Sequence, residues 1–505
     1  MMDLGITKPT SSPWATPLHV ASKWSVESWR LCIGYRVLSH SITPNRYSVP
    51  LIQGLMTSLI GSKILDRTDL VRACNQVRIT STDNWKSAVI TPSGPLELLS
   101  VRAETEQNQT GSLSLSGRSS PVSMGAFLEK PKTEKVRESG AGNGLRYGLC
   151  SMQGWRIEME DAHVARVELP PPFKSWSYFG VFDGHAGARV SERCAAKLLD
   201  TILNTEEFKK VAAQDSAELD LALIKLGIIN GFLAFDRELA LEDREEKSGS
   251  TAVVAFITPS HIIMANCGDS RAMVVRDDKP FLATEDHKPY LPTERKRISE
   301  AGGQVMLSRV NGSLAVSRSL GDFEYKQLGN RGATEQLVSP EPDLFVVTRN
   351  KDRDQLLILA CDGIWDVFEN DALANYVLQR LRCVASLMDV CGEILDTSLH
   401  KGSRDNMSVL LVALDNAPKL DPEAARKDVE LDKAISSIVM ELMDSSVREP
   451  ESLNVNYVAN VVQSMELPNY PPGGFITKRG FVEGLYDVRI RQNDWPSQSK
   501  ESRVQ

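Results

Sequence analysis

Between residues 145 and 415, short apolar runs alternate with segments of helical periodicity. Turn residues separate neighbouring runs at 258–260 and 277–279, and such short connections require antiparallel pairing, because a parallel crossover needs about a dozen residues. Helical periodicity is found at 187–203, 217–240, 370–382 and 384–399. The pattern predicts an α+β layered sandwich. The runs of strand length are Tyr178–Phe182, Thr251–Ile257, Ile262–Cys267, Ala272–Arg276, Leu356–Cys361 and Ser408–Leu414.

The C-terminal part of the chain carries the apolar spacing of helices instead. Two helices are predicted at 453–465 and 478–490, separated by the helix-breaking segment Pro468–Gly474. A third helix has an apolar face with i, i+3, i+4 spacing, formed by Leu431, Ala434, Ile435, Ile438 and Leu442. This spacing therefore predicts a small C-terminal helical domain at residues 420–495.

The N-terminal part differs in composition. Residues 1–100 are rich in Pro, Ser and Trp, whereas residues 101–123 contain almost no large apolar side chains. A segment of the latter kind buries too little surface to offset its ordering entropy, so we predict a flexible linker at 101–123. The expected domain boundaries are 1–100, 101–123, 124–415 and 420–495.

Charge is distributed unevenly along the 505 residues. The chain has 58 basic and 66 acidic side chains, a net charge of −8; residues 1–120 hold 12 basic and 8 acidic ones (net +4), which leaves 46 and 58 (net −12) for the remainder. Hydrophobic residues at 42% exclude a fully disordered chain. The carboxylate surplus argues against nucleic-acid binding by the main body and suits a protein that collects cations.

Cysteine and hydropathy patterns bear on the compartment. No apolar run approaches the roughly 20 residues of a membrane helix, and the first residues lack the features of a signal peptide. The 8 cysteines form no C-x-x-C pair, and Cys267 and Cys361 stand in apolar runs, which favours buried free thiols. The 7 histidines have no zinc-ligand spacing. We expect a cytoplasmic protein, and a nuclear fraction is compatible with the same pattern.

Carboxylates recur where the apolar runs begin or end. Asp183-Gly184-His185 and Asp362-Gly363 each follow a run, and Asp269 and Asp405 stand at the ends of two others. Taken singly, each of these motifs is explained by a turn or an Asx cap. Arg156 begins another acidic motif, whose period of two would place Glu158 and Glu160 on the same strand face.

Several such carboxylates together indicate more than turns. If the strands converge, the carboxylates repel one another strongly, and a cation removes that repulsion. Ligand sets made only of oxygen atoms select Mg²⁺ or Mn²⁺ over zinc. Two such ions can clamp a water and a phosphoryl group for in-line displacement.

With these motifs, the chain from about Met124 to the C-terminal helices resembles the metal-dependent protein serine/threonine phosphatases of type 2C, in particular their animal alpha/beta-type members. The whole ordered set of strings is highly specific: GLRYGLCSMQGWRIEMEDAH, FDGHAG, SGSTAV, NCGDSRA, DHKP, RVNGSLAVSRSLGD, TEQLVSPEPD, ILACDGIWDV and KGSRDNMSVLLV. The resemblance implies a β-sandwich of two antiparallel sheets flanked by helices, with a small C-terminal helical domain.

The resemblance also implies two Mg²⁺ or Mn²⁺ ions and a weaker third. The implied ligands are Asp183 bridging both ions, Glu160 and the Gly184 carbonyl on one ion, Asp362 and Asp405 on the other, and Asp269 with Asp362 on the third.

Four further roles follow from the resemblance. Arg156 would bind the substrate phosphate, and His185 would protonate the leaving oxygen as a general acid. Asp161 and Asp366 would position waters around the metals. A metal-activated water attacks directly, so no cysteine nucleophile is needed. Packing is the default interpretation of the segment 311–322.

The implied function is dephosphorylation of phosphoserine and phosphothreonine in signalling proteins by a monomeric enzyme. The alternative is a pseudophosphatase, a binding module that keeps the fold without catalysis. Loss of Asp183, Asp362 or Asp405 would favour that alternative, and all three are present.

Residues 1–100 resemble the fingers and early palm of a retrotransposon reverse transcriptase, in the strings SSPWATPLHV, SWRLCIGYRVLSHSITPNRYSVPLIQ and KILDRTDLVRACNQV. Asp69 would match the first catalytic aspartate, but the Tyr-x-Asp-Asp type motif is absent, and a two-metal polymerase needs both. We interpret residues 1–100 as a truncated fragment that was joined to the rest by genomic insertion or by an incorrect gene model, and we expect no nucleic-acid binding.

Met124 begins the string MGAFLEKPK, which resembles the natural start of the phosphatase family. Translation from Met124 would make Gly125 N-terminal and open to acylation, the one route to membrane association that we expect. Glu129 departs from the Ser or Thr of the acylation signal.

Overall fold

The computed structural model describes residues 7–9, 16–22, 29–33, 88–91, 94–98, 127–214, 219–445 and 454–492. The chain divides into two compact units, Met1–Ser120 and Pro121–Gln505. Asp69, the linker at 101–123 and Gly125 lie outside the described residues, so the predictions made for them stay predictions.

The described part of the first unit is one five-stranded sheet. Its strands are β1 (Thr7–Pro9), β2 (Thr16–Ser22), β3 (Trp29–Ile33), β4 (Ala88–Thr91) and β5 (Gly94–Leu98), in the order β1-β5-β4-β2-β3. The pair β2–β4 is parallel and the other pairs are antiparallel.

The second unit contains the remaining strands. They are β6 (Phe127–Gly142), β7 (Leu145–Arg156), β8 (Ala162–Arg166), β9 (Ser177–Phe182), β10 (Gly184–His185), β11 (Gly249–Ser250), β12 (Ala252–Ile257), β13 (His261–Cys267), β14 (Arg271–Arg276), β15 (Lys279–Ala283), β16 (Val305–Met306), β17 (Arg309–Val310), β18 (Leu320–Gly321), β19 (Asp343–Thr348), β20 (Asp354–Ala360) and β21 (Met407–Ala413).

Two antiparallel sheets dominate this unit. One sheet has five strands in the order β19-β13-β12-β9-β8, and the other has six in the order β15-β14-β20-β21-β7-β6. A three-stranded sheet, β10-β11-β18, adjoins the end of β9. The predicted β-sandwich of two antiparallel sheets is confirmed.

Helices complete the layers. They are α1 (Arg189–Leu203), α2 (Glu206–Ala212), α3 (Leu221–Glu242), α4 (Pro292–Glu300), α5 (Asp362–Trp365), α6 (Asn370–Cys383), α7 (Leu387–His400), α8 (Pro422–Ser445), α9 (Val455–Ser464) and α10 (Arg479–Gln492), with 3-10 turns at Phe323–Tyr325, Ala333–Glu335 and Gly474–Thr477. None of the described helices has both the length and the apolar character of a membrane span.

Alternation along the central strands explains the layering. In β12, Val253, Ala255 and Ile257 pack between the two sheets, whereas the alternating residues face α1 to α3. In β20, Leu357 and Leu359 face the same inter-sheet layer, and their neighbours pack against α6 and α7. Each fully buried large apolar side chain contributes about 1.5–3 kcal/mol of transfer free energy, so both faces of these strands stabilise the sandwich.

The strand expectation needs one correction at the acidic motif. Strand β7 ends at Arg156, and residues 157–161 form a bend and irregular backbone. Glu158 and Glu160 therefore do not share a strand face with Arg156. The physical reason lies in tertiary hydrogen bonds, since a buried asparagine binds the backbone of this segment in place of a strand partner.

The C-terminal helices have an apolar core of their own. Leu431, Ile435, Val439 and Met443 of α8 pack against α9 and Val482 of α10. The predicted helices are thus present, and the most buried positions of α8 follow i, i+4 spacing. Ile438 and Leu442, expected on the apolar face, are partly buried.

Candidate metal centre and active site

The antiparallel register brings the acidic motifs to one edge of the sandwich. The pairs Val181↔Val253 and Ala252↔Cys267 place Asp183, just after β9, at the same sheet edge as the end of β13, after which Asp269 follows. In the other sheet, Ala360↔Val409 places Asp362 beside the start of β21, just after Asp405. Strand β7 ends at the same edge, because Met152 pairs with Met407.

Glu160 and Gly184 are in close backbone contact. A Cβ atom at Gly184 would collide with the Glu160 carbonyl oxygen, which also accepts a 2.5 Å hydrogen bond from Ser191 Oγ. The Glu160 carboxylate accepts a 2.6 Å hydrogen bond from the Gly187 amide. Asp183 is fixed by two bonds with Thr251, from its own amide to Oγ1 and from the Thr251 amide to its carbonyl oxygen. The two motifs are therefore assembled as one rigid corner.

Asn406 is the residue that joins this corner to the opposite sheet. Its Oδ1 accepts from the Glu160 amide at 2.8 Å, and its Nδ2 donates to the carbonyl oxygens of Gln153 and Glu158 at 2.9 and 3.0 Å. Sequence reasoning missed this role, because an asparagine after Asp405 is also explained by an Asx turn.

Asp161 is partly buried and lies close to Asp183 and Cys361. Ligand atoms of Asp161, Asp183 and Cys361 lie within 4.8 Å of one another. Ser408 Oγ donates to Asp161 Oδ2 at 2.7 Å, whereas Oδ1 is buried without a hydrogen-bond partner among the described residues. Burial raises the pKa of Asp161 to about 7.

Burial is the larger cause of the carboxylate pKa shifts in this cluster, and repulsion between neighbouring carboxylates adds to it. Burial first, and then the charges of Asp362 and Asp161, raise the pKa of Asp183 well above its usual value. Burial and the neighbouring carboxylates of Asp269 and Asp405 do the same for Asp362. A cluster of oxygen donors that raise one another's pKa, with one orphaned buried oxygen, fits hard divalent cations.

Arg156 lies against the same cluster. Its Nη2 donates to Asp405 Oδ2 at 2.6 Å, and the Arg156 side chain is 39% exposed. Burial alone would lower the pKa of Arg156, but the hydrogen bond and charge of Asp405 raise it by more, so the net shift is upward. The structure therefore joins the predicted phosphate ligand and a predicted metal ligand.

Asp269 has a basic partner that sequence reasoning missed. Lys288 Nζ lies 2.5 Å from Asp269 Oδ2. Burial alone would lower the pKa of Lys288, but the charge and hydrogen bond of Asp269 outweigh burial, so the pKa of Lys288 is raised. Burial raises the pKa of Asp366, and Lys288 partly offsets this shift.

His185 faces a buried carboxylate. Its Nε2 lies 2.8 Å from Asp322 Oδ2. Burial alone would lower the pKa of His185, but the Asp322 charge and hydrogen bond raise it. Asp322 thus makes a specific polar contact in addition to the packing role expected by default for residues 311–322.

Sequence comparisons decide the family. The model of "Protein phosphatase 2C" matches residues 145–407, and that of "Protein serine/threonine phosphatase 2C, C-terminal domain" matches residues 408–487. The chain belongs to the protein phosphatase 2C family. The type 2C resemblance read from the motifs is thus confirmed. The activity that this resemblance implied, metal-dependent dephosphorylation of serine and threonine in proteins, is confirmed with it.

Curated relatives agree with this membership. Human "Protein phosphatase 1B" is 50% identical over 369 residues, covering 72% of this chain and 77% of the relative. Bovine "Protein phosphatase 1A" is 48% identical over 370 residues, covering 72% of this chain and 95% of the relative. A solved phosphatase from Toxoplasma gondii aligns at 25% identity with a TM-score of 0.47, covering 56% of this chain and 96% of that one.

Proposed function

We propose that this type 2C phosphatase binds two Mg²⁺ or Mn²⁺ ions at the edge where the acidic motifs meet. Asp183 would bridge the ions, with Glu160 and the Gly184 carbonyl on one side and Asp362 and Asp405 on the other. The observation that carries this proposal is the strand register that brings Asp183 and Asp362 to one edge of the sandwich, where burial and neighbouring carboxylates raise the pKa of both groups, a cost that a cation would relieve. When bound, the two ions would polarise the phosphoryl group and make a water more acidic.

A third, weaker ion would be held by Asp269 and Asp362. Lys288 competes for Asp269 at 2.5 Å, and this competition supports a weaker affinity than at the other two sites. Asp161 and Asp366 would bind the waters that surround the ions. The unpartnered Oδ1 of Asp161 supports that role.

Arg156 would hold the substrate phosphate. Its guanidinium carries five N–H donors, and its contact with Asp405 Oδ2 is made through Nη2. The remaining donors can form a fork onto two phosphate oxygens, which fixes the orientation of the phosphorus atom at the carboxylate cluster. Asp405 would thereby position both an ion and the residue that binds the substrate.

His185 would act as the general acid. It follows Asp183 and Gly184 directly, so its ring is within two residues of the proposed bridging ligand. A serine or threonine alkoxide is a poor leaving group, and a proton donated by imidazole in the transition state offsets that.

The substrates would be phosphoserine and phosphothreonine proteins of signalling systems, and the enzyme would act as a monomer in the cytoplasm. The six described cysteines are free thiols, and five of them are buried, which supports a reducing compartment. We also propose domains at 124–415 and 420–495, supported by the separate apolar core of α8 to α10. The nuclear fraction and acylation at Gly125 stay predictions.

Turnover of a phosphopeptide panel with different metals tests this proposal. We expect hydrolysis of both phosphoserine and phosphothreonine peptides with Mg²⁺ or Mn²⁺, and no turnover in excess chelator. A matched assay of Asp362→Asn at saturating Mg²⁺ and Mn²⁺ is the control for adventitious phosphatase. Full activity in chelator, or in the Asp362→Asn enzyme, would refute the metal centre.

A further inference from the structure

Asp322 is a buried carboxylate whose contacts converge on His185. Its side chain is 4% exposed, and Oδ2 lies 2.8 Å from His185 Nε2. The same oxygen accepts a 2.5 Å hydrogen bond from Ser319 Oγ. A carboxylate only accepts hydrogen bonds, so Nε2 of His185 carries the hydrogen in this contact. Nδ1 is the other ring nitrogen, and it is the one that this contact with Asp322 leaves available for proton transfer.

The backbone at Asp322 is held in an unfavourable conformation. Its φ is +52° and ψ is +44°, in the left-handed region that residues other than glycine rarely adopt. Surrounding bonds hold this turn. The Gly321 amide donates to Asp236 Oδ1 at 2.8 Å, and Lys326 Nζ binds both Asp236 Oδ1 and the Ser319 carbonyl oxygen.

The pair is also confined from the side. Gly249 lies directly against it, and a Cβ atom there would collide with Asp322 Oδ2 and His185 Nε2. Gly249 pairs with both His185 and Gly321 in the small sheet β10-β11-β18. The backbone of Gly249 thus closes one side of the imidazole–carboxylate pair, and the small sheet fixes the position of that backbone.

We propose that Asp322 is the positioning residue that orients the His185 ring for proton transfer to the leaving group. This inference rests on the proposed role of His185 as general acid. In the step, the P–O bond breaks and its electron pair stays on the seryl or threonyl oxygen. His185 Nδ1–H gives that oxygen its proton, and the neutral ring keeps Nε2–H on Asp322. A water supplies the oxygen that bonds to phosphorus and releases its proton to solvent, from which His185 is protonated again.

The test compares leaving groups in four proteins: wild type, His185→Gln, Asp322→Asn and the double variant. Nitrophenolate leaves without a proton, whereas a threonyl alkoxide needs one. We expect Asp322→Asn to lower kcat for a phosphothreonine peptide about 10- to 100-fold, and kcat for p-nitrophenyl phosphate less than about threefold. KM for the peptide should be unchanged, and the double variant should lose no more than His185→Gln alone.

Two further variants separate positioning from folding. Asp354→Asn also removes a buried carboxylate, the partner of Arg276 at 2.6 Å, at the opposite end of β20 from the site. It should lower the melting temperature without changing the ratio of peptide to nitrophenyl phosphate rates. Ser319→Ala keeps Asp322 but removes its 2.5 Å hydrogen bond, and should change the ratio in the same direction as Asp322→Asn by a smaller factor. It supplies the same test if Asp322→Asn does not fold.

The outcomes distinguish two failures. If His185→Gln slows both substrates equally, the general-acid assignment is wrong, and the inference falls with it. If His185→Gln is selective for the peptide but Asp322→Asn and Ser319→Ala slow both substrates equally, Asp322 is structural and only this inference is overturned. Additive losses in the double variant would overturn it as well.

Discussion

The side chain of Asn406 accepts a hydrogen bond from the backbone of Glu160 at the edge of the β-sandwich where the acidic motifs meet, with Oδ1 2.8 Å from the Glu160 amide nitrogen. The two residues are 246 positions apart in the chain and come from different ligand motifs. Through this bond and two from Nδ2, the segment that carries one set of proposed metal ligands is fixed relative to the segment that carries the other.

Asn406→Ala should therefore weaken metal binding as well as folding. The substitution leaves the Glu160 amide and the carbonyl oxygens of Gln153 and Glu158 without their partner, at about 1–3 kcal/mol for each group that stays buried. We expect a higher Mg²⁺ concentration for half-maximal activity, with kcat at saturating Mg²⁺ less affected. Asn416→Ala, at an exposed position beyond the end of β21 that is remote from the site, is the control for the substitution itself. An unchanged Mg²⁺ requirement would contradict this role.

Asp183→Asn and Asp405→Asn should differ in their metal titrations. The first removes the proposed bridge between both ions and should abolish activity at any Mn²⁺ concentration. The second removes a ligand of one ion and the partner of Arg156, so activity should be partly recovered at high Mn²⁺ while KM for the peptide rises. Titration calorimetry with Mn²⁺ gives the stoichiometry independently of turnover. Equal and mild losses in both variants would show that the ligand assignment is wrong.

The apolar core of the sandwich was largely predictable from the sequence, but its outer strands were not. Strands such as β12 are buried on both faces, so they read as continuous apolar runs. Strand β6 runs FLEKPKTEKVRESGAG with mostly exposed side chains, and its pairing with β7 is a tertiary contact that leaves no periodic signal. Loops around the site were likewise beyond local patterns.

The same distinction applies to the site residues. Asp183, Asp362 and Asp405 were proposed as ligands from the sequence because each stands next to the beginning or end of an apolar run, a feature of local sequence. Asn406, Lys288 and Asp322 act through partners far along the chain, and only the fold brings them there. Their residue types suit turns and charged surfaces equally well.

Thiol alkylation should leave catalysis intact. Burial raises the pKa of Cys267 to about 12 and that of Cys361 well above its usual value, so these thiols are protonated and shielded. Cys361 lies beside Asp183, so alkylation of Cys361 is the most direct test of whether a thiol takes part in catalysis. Iodoacetamide on the native enzyme should leave kcat unchanged, with mass spectrometry to identify the modified sites. A loss of activity that follows modification of Cys361 would contradict its assignment as inert.

Arg380→Met should destabilise the junction between the sandwich and the C-terminal helices. The Arg380 side chain, 3% exposed, forms bidentate contacts with Glu393 of α7 and with Asp428 of α8 at 2.6–3.0 Å. Breaking a buried pair by removing one partner costs about 3–5 kcal/mol, because the remaining charges lose compensation. Urea denaturation measures the change in the free energy of unfolding.

Lys427→Met provides the comparison for that experiment. Lys427 lies one residue before Asp428 on the same helix, but its ion pair with Glu423 is exposed to solvent, so its loss should change stability little. If Arg380→Met were as mild as Lys427→Met, the buried contacts would not be what holds α8 against the sandwich.

Removal of residues 1–123 should leave the phosphatase intact. The compact unit Pro121–Gln505 contains every proposed ligand, both sheets of the sandwich and the C-terminal helices, so it has what it needs to fold alone. We expect kcat/KM on a phosphopeptide to agree within about twofold between the full chain and a protein starting at Met124. Far-ultraviolet circular dichroism should show the same melting transition in both.

A second truncation starting at Leu145 serves as the contrast, because it removes β6 and exposes the edge of β7, with which β6 pairs along most of its length. That protein should melt at a lower temperature. If the Met124 protein instead lost most of its metal-dependent activity, the N-terminal region would be part of the enzyme, and its interpretation as a joined fragment would be wrong.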